Sequence, residues 1–152
     1  MEVAVLPIKT ALIALVLVLG SASSVFARDE IENYSIKSAL ETADAREKLD
    51  PQINLYFGNW KHGAVVQSIG EWKSYKKSNG VGRANEVACK RAFLSAAISL
   101  QQRAIKMGGN AVIGIKSDYD NRKTSSDITY VCGSGMLMSA VALIGTVVRT
   151  EK

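Results

Sequence analysis

Histidine is almost missing from this chain, cysteine is scarce, and no apolar run is long enough to cross a bilayer. One imidazole, His62, and two thiols, Cys89 and Cys132, serve 152 residues. Soft metals need several thiolates and imidazoles at short spacing, so a structural zinc knot or a multi-histidine metal centre cannot be assembled from this inventory. A serine or cysteine nucleophile needs a base, and the single histidine lies beside Gly63 with no orienting partner at recognisable spacing. Gly133-Ser134-Gly135 lacks the intervening residues of a nucleophile elbow. A phosphate cradle of the G-x-x-x-x-G-K-[ST] type is absent, and the nearest glycine cluster, Gly80-Val81-Gly82 before Arg83, reads as a plain loop. Asp118-Tyr119-Asp120-Asn121 hints at a calcium loop, but Arg122 takes the next ligand position and no late glutamate follows. Site residues are therefore expected neither for catalysis, nor for a cofactor, nor for a metal.

What is present begins with an export signal. Lys9 supplies a short positive region, Ala11–Leu19 is apolar throughout, and Val25-Phe26-Ala27 places small residues where a signal peptidase reads them. As a membrane anchor the run falls short of the roughly 20 residues that span a bilayer. Residues 1–27 are read as a leader cleaved after Ala27, and residues 28–152 as a single domain located in the periplasm. Within it, residues 28–63 form a lead-in, helix and strand, and residues 64–148 the core. No cysteine lies near the cleavage point to carry a lipid. Loss of Lys9 and Glu2 together leaves the net charge at +5.

The fold reads outward from Arg83–Lys116. Cys89, Phe93, Ala96, Leu100, Ala104 and Met107 recur at three- and four-residue steps and form one helical stripe. Lys90, Arg91, Gln101, Gln102 and Lys106 fall mostly elsewhere on the circumference. Gly108 and Gly109 end the helix, and Asn110–Lys116, rich in β-branched residues, continues as a strand. Upstream, Asp29–Ile36 is extended, and Ser38 with Glu41 has the spacing of a capping box opening a short helix that runs to Asp50-Pro51. Ile53–Gly58 is a short strand, and Ala64–Lys76 a long one bent at Gly70. Ser117–Asp127 is a polar hairpin loop, Ile128–Cys132 returns as a strand, and Met136–Val148 is either a strand buried on both faces or one bulged near Gly145. The expected class is α+β: a small mixed or antiparallel sheet, one long helix packed across it, and a short N-terminal helix.

In an oxidising compartment the two cysteines invite a Cys89–Cys132 disulfide, the one intramolecular pairing open to them. Two buried free thiols are the alternative. Charge is uneven: Arg28–Asp50 holds seven acids and four bases, whereas Trp60–Arg91 holds seven bases against Glu71 and Glu86. Lys73, Lys76, Lys77 and Arg83, interleaved with Trp72 and Tyr75, form a candidate patch for an anionic partner. A solvated strand face that keeps the domain soluble is the plainer account of the same residues. Charge reversal at Lys73, Lys76 and Lys77 is expected to leave thermal stability nearly unchanged; unfolding would make the patch structural.

The passage Lys106-Met107-Gly108-Gly109-Asn110-Ala111-Val112-Ile113-Gly114-Ile115, with its preceding helix and following polar loop, resembles the YbjQ-type family and the exported RcsF-type envelope stress sensors. The likeness covers roughly residues 84–148. It implies a disulfide joining helix to late strand, an envelope location and a capacity to form homo-oligomers. YbjQ-like proteins are also described as binding heavy metals, which this ligand inventory does not support. The chain lacks the lipid-bearing cysteine and second cysteine pair of RcsF-type sensors. It is still more similar to exported bacterial proteins labelled "excinuclease ATPase subunit", a label at odds with the missing phosphate cradle and with export. The functional expectation is a periplasmic, non-enzymatic binding or envelope-associated protein. Its partner would be an envelope protein or anionic envelope component rather than nucleic acid. The alternative is a metal-binding protein or a periplasmic enzyme. The mass of the exported protein is expected to match a chain beginning at Arg28; a mass that includes Met1–Ala27 would show the leader retained as an anchor.

Overall fold

The computed structural model describes residues 29–151. The proposed leader and its cleavage point lie outside the described residues. The fold is α+β, with a mixed seven-stranded sheet and one long helix packed across it. In chain order the elements are β1 (Glu30–Ser35), α1 (Ile36–Leu40), α2 (Ala43–Lys48), β2 (Asn54–Phe57), β3 (Val65–Asn79), α3 (Asn85–Met107), β4 (Ala111–Tyr119), β5 (Arg122–Thr124), β6 (Thr129–Ser134) and β7 (Met138–Thr150). The strand path is β1-β6-β7-β4-β2, with β3 paired to β7 and β5 to β4. All pairs are antiparallel except β2 with β4.

The expected stripe of α3 faces the sheet. Cys89, Phe93, Ala96, Leu100 and Ala104 are fully buried and join Val112, Ile115, Tyr130, Val141, Leu143 and Val147 in one core. Phe93 lies between Phe57 and Tyr130, with ring centroids 5.5 and 4.3 Å away. The Cys89–Cys132 disulfide forms, its Cα atoms 6.0 Å apart, and ties the first turns of α3 to β6. Gln101, which lies off the apolar stripe expected to face the core, is nevertheless buried. Its amide donates to the carbonyls of Asp50 and Ile53 at 2.9 and 2.7 Å and accepts from the Asp50 amide at 2.9 Å. A polar side chain on the helix thus pairs the Asp50 amide and the Ile53 carbonyl and adds a second donor to the Asp50 carbonyl, which also accepts from Ile53 N at 3.3 Å.

The exit from α3 explains the recognisable motif. Gly108 takes φ +78°, a left-handed conformation that costs glycine little, and Gly109 leaves no room for a Cβ against Val147 and the Val148 carbonyl. Asn110 then acts as a further sheet residue. Its amide N–H donates to Val148 O at 3.0 Å, and its side chain accepts from Thr150 N at 2.8 Å and donates to Thr150 O at 3.0 Å.

Three expectations are corrected in detail, and the alternative left open for the last strand is resolved. The first helix begins at Ile36, not Ser38, because Ser35 is its cap and accepts from Ser38 N at 3.1 Å. It ends at Leu40, and Thr42 caps a separate α2 by accepting from Ala45 N at 3.2 Å. Ser117–Asp127 is not one loop: β4 runs on to Tyr119 and turns at Asp120-Asn121, both at positive φ, into β5. Met138–Thr150 is buried on both parities, and the irregularity facing Gly145 lies on β4, where Gly114 (φ +59°) is the extra residue between the Ile113↔Thr146 and Lys116↔Ile144 pairs.

Reduction of the purified protein is expected to destabilise it by up to roughly 4 kcal/mol, from closure of the loop between Cys89 and Cys132. Denaturant melts with and without reductant, alongside thiol counts, measure this. Two titratable thiols before reduction would contradict the bridge.

Candidate functional site

The basic residues of β3 are distributed by register. Neighbours in an antiparallel pair share a face and successive residues alternate. Lys73, Tyr75 and Lys77 therefore stand with Ile144, Ala142 and Ala140 on one face of the sheet. Trp72, Ser74 and Lys76 stand with Gly145, Leu143 and Val141 on the face that α3 covers. Trp72 lies under Arg103 of α3, whose guanidinium carbon is 3.5 Å from the ring centroid.

On the face away from α3, the β4–β5 hairpin is fastened to β3 by charge. Lys73 Nζ lies 2.9 Å from the buried Asp118 carboxylate and donates to Asn121 Oδ1 at 3.0 Å. Lys123 reaches Glu71 at 3.6 Å. Tyr119, at the end of β4, covers Gly133, where any Cβ would collide with its ring, and its hydroxyl donates to Asp29 at 3.4 Å. Burial first, and the Asp29 charge next, raise the Tyr119 pKa, which keeps the phenol protonated as that donor.

The four residues of the candidate patch thus separate. Lys73 is engaged with Asp118, whereas Lys76, Lys77 and Arg83 are exposed at the far end of β3. Lys77 sits 5.7 Å above the Tyr75 ring, and Arg83 Nη1 donates to Asn79 O at 3.4 Å. The register pairs Asn79 with Met138, and Gly80 N donates to Leu137 O at 2.9 Å. Lys77 lines one cleft with Met136, Leu137 and Met138, whereas Lys76 pairs with Val141 and stands on the other face. The β6–β7 turn is a feature the sequence reading missed by merging Met136 and Leu137 into the following strand. The available signal was Gly133-Ser134-Gly135, which breaks the strand just before them.

Chemistry elsewhere is sparse. His62 is exposed, with Nδ1 2.8 Å from Gly63 O and its ring beside Tyr56. Among the described residues no three His, Cys, Asp or Glu side chains group as metal ligands, and no helix is long and apolar enough to cross a membrane. Compared with protein-family models, curated proteins and solved structures, the chain matches none.

Charge reversal now separates the lysines. Lys73→Glu places a second carboxylate beside buried Asp118 and is expected to cost about 2 kcal/mol or more. Lys76→Glu and Lys77→Glu, at exposed positions, should each change stability by less than about 0.5 kcal/mol. Equal denaturant midpoints for all three variants would show that the Lys73–Asp118 pair does not hold the hairpin.

Proposed function

We propose that the chain is an exported, non-enzymatic binding protein of the bacterial envelope, acting in the periplasm after loss of residues 1–27. The observation that carries this reading is the Cys89–Cys132 bridge, which commits both thiols to a buried covalent tie suited to an oxidising compartment. The likeness of Lys106–Ile115 to YbjQ-type and RcsF-type domains supports the same compartment. The partner is an anionic envelope component or an envelope protein met through the free cations Lys76, Lys77 and Arg83. Self-association of YbjQ-like kind would use the outer edge of β3, which among the described residues pairs with β7 alone.

A metal-binding protein or a periplasmic enzyme is the competing reading, and it predicts different contents. The purified protein is expected to carry no stoichiometric zinc or copper and no free thiol. Immobilised wild type should retain an envelope component that the Lys76→Glu/Lys77→Glu variant does not. Two free thiols with bound metal would overturn the proposal, and equal retention by both proteins would remove the cations from it.

A further inference from the structure

The sheet face turned away from α3 carries a cleft of about 330 Å³ beside the β6–β7 turn. Its floor is Ala140 of β7 with Gly133 of β6, a pair that places almost no side chain there. Lys77 and Tyr75 of β3 wall the cleft on one side of β7, and Tyr119 with Asp29 wall it on the other, over β6. Two glycines make room for that second wall: a Cβ on Gly133 would collide with the Tyr119 ring, and one on Gly135 would lie 2.8 Å from Asp29 Oδ1. The rim is the turn itself, which breaks the local rules of turn chemistry. Gly135 N donates to Met138 O at 2.9 Å, and the residues enclosed are Met136 and Leu137, where tight turns favour Asn, Asp and Gly. Met136 is 81% exposed, Leu137 64% and Met138 43%, so these side chains serve the rim and not the core.

We propose that this cleft binds a small zwitterion, an amino acid or dipeptide with apolar side chains: its carboxylate meets Lys77, its ammonium meets Asp29, and a side chain lies among Met136, Leu137 and Met138. The inference goes beyond the envelope-partner reading and stands without it, since it is argued from the lining of one cleft. Charge selects the class of ligand. The lining holds one carboxylate, Asp29, and one ammonium, Lys77, and neither enters an ion pair among the described residues. Asp29 accepts from Tyr119 at 3.4 Å, and Lys77 stands 5.7 Å above the Tyr75 ring. Two opposite charges on facing walls, not joined to each other, favour a ligand carrying both signs, whereas a ligand of one sign meets a like charge. Glu30 and Arg83 lie outside the lining, where Glu30 accepts from Asn85 and Arg83 donates to Asn79 O. Size limits the length. Lys77, Ala140 and Gly133 occupy one row across three strands, so the backbones carrying the two walls are about 10 Å apart. Two extended residues span at most about 7 Å, which fits between side chains reaching inward from those walls. The rim decides against a sugar or a phosphate, which would leave Met136, Leu137 and Met138 facing hydroxyls or charge. Flexible thioethers instead adapt to apolar side chains of varied shape.

The test uses isotope-labelled protein expressed from its full sequence and recovered after export, titrated by NMR. The probes are L-leucine, L-leucyl-L-leucine, N-acetyl-L-leucine, which keeps the carboxylate alone, and L-leucinamide, which keeps the ammonium alone. At least one of the two zwitterions should give saturable shifts centred on the amides of Gly133, Gly135 and Leu137, and the tighter of the two reports the span between Asp29 and Lys77. Each single-charge derivative should bind about fivefold more weakly than leucine, the upper range for an exposed ion pair. Asp29→Asn should abolish the preference for leucine over N-acetyl-L-leucine while keeping that over L-leucinamide, and Lys77→Gln should do the reverse. The preference each variant keeps shows that its cleft is still folded. Met136→Ser/Leu137→Ser should weaken all four probes by about tenfold. Absence of saturable shifts with both zwitterions, shifts centred elsewhere, equal binding of the single-charge derivatives, or preferences unmoved by Asp29→Asn and Lys77→Gln would each overturn the proposal. Capture of an envelope component through Lys76 and Lys77 is measured separately and is untouched by any of these results.

Discussion

Strand β7 is hydrogen-bonded on both edges at once. β3 runs along its whole length, while β4 takes Leu143–Val148 and β6 takes Ser139–Ala140 on the opposite edge. A strand so flanked cannot slip by one residue without turning its α3-facing row outward. That row, Val141, Leu143 and Val147, meets Phe93, Ala96 and Leu100 of the helix. The alternate row, Ala140, Ala142 and Ile144, is also buried, on the face where Lys73 grips the β4–β5 hairpin. The register of β7 therefore decides where every basic residue of β3 points.

The lysines illustrate why linear patches mislead. Lys73, Lys76 and Lys77 lie within five positions, yet the pleat sends Lys76 to one face and the other two to the opposite face. Lys73 is then claimed by Asp118, 45 positions away in sequence. No local pattern announces such a pair, since it depends on β3 and β4 flanking β7 in register. Of the remaining cations, Lys77 lines one cleft with Met136 and Leu137, while Lys76 stands on the α3-facing side.

Local chemistry was legible wherever a residue's role depends on its near neighbours. The stripe from Cys89 to Ala104, the glycine stop at Gly108 and the bend near Gly70, where the β3–β7 register shifts, are of this kind. Errors arose where a neighbour in space competed. Ser35 displaced Ser38 as helix cap, because β1 pairs with β6 as far as Ser35 and Ile36 N then donates to Ile128 O at 2.9 Å, leaving the helix to start there. The burial of Gln101 has no local signal, because its partners, Asp50 and Ile53, lie about 50 positions upstream.

By itself the sequence determined the class of fold, the span of the long helix to within two residues, and which two sulfurs could bond. Periodicity, glycine conformation and a count of two cysteines are properties of the chain before it folds. Tertiary structure alone decided the parallel pairing of β2 with β4, the burial of Gln101, the commitment of Lys73 and the projection of Met136 and Leu137. Each of these requires a partner, or the lack of one, among residues remote in sequence. Burial and hydrogen bonding are relations between surfaces, and those surfaces do not exist until the sheet has closed on α3.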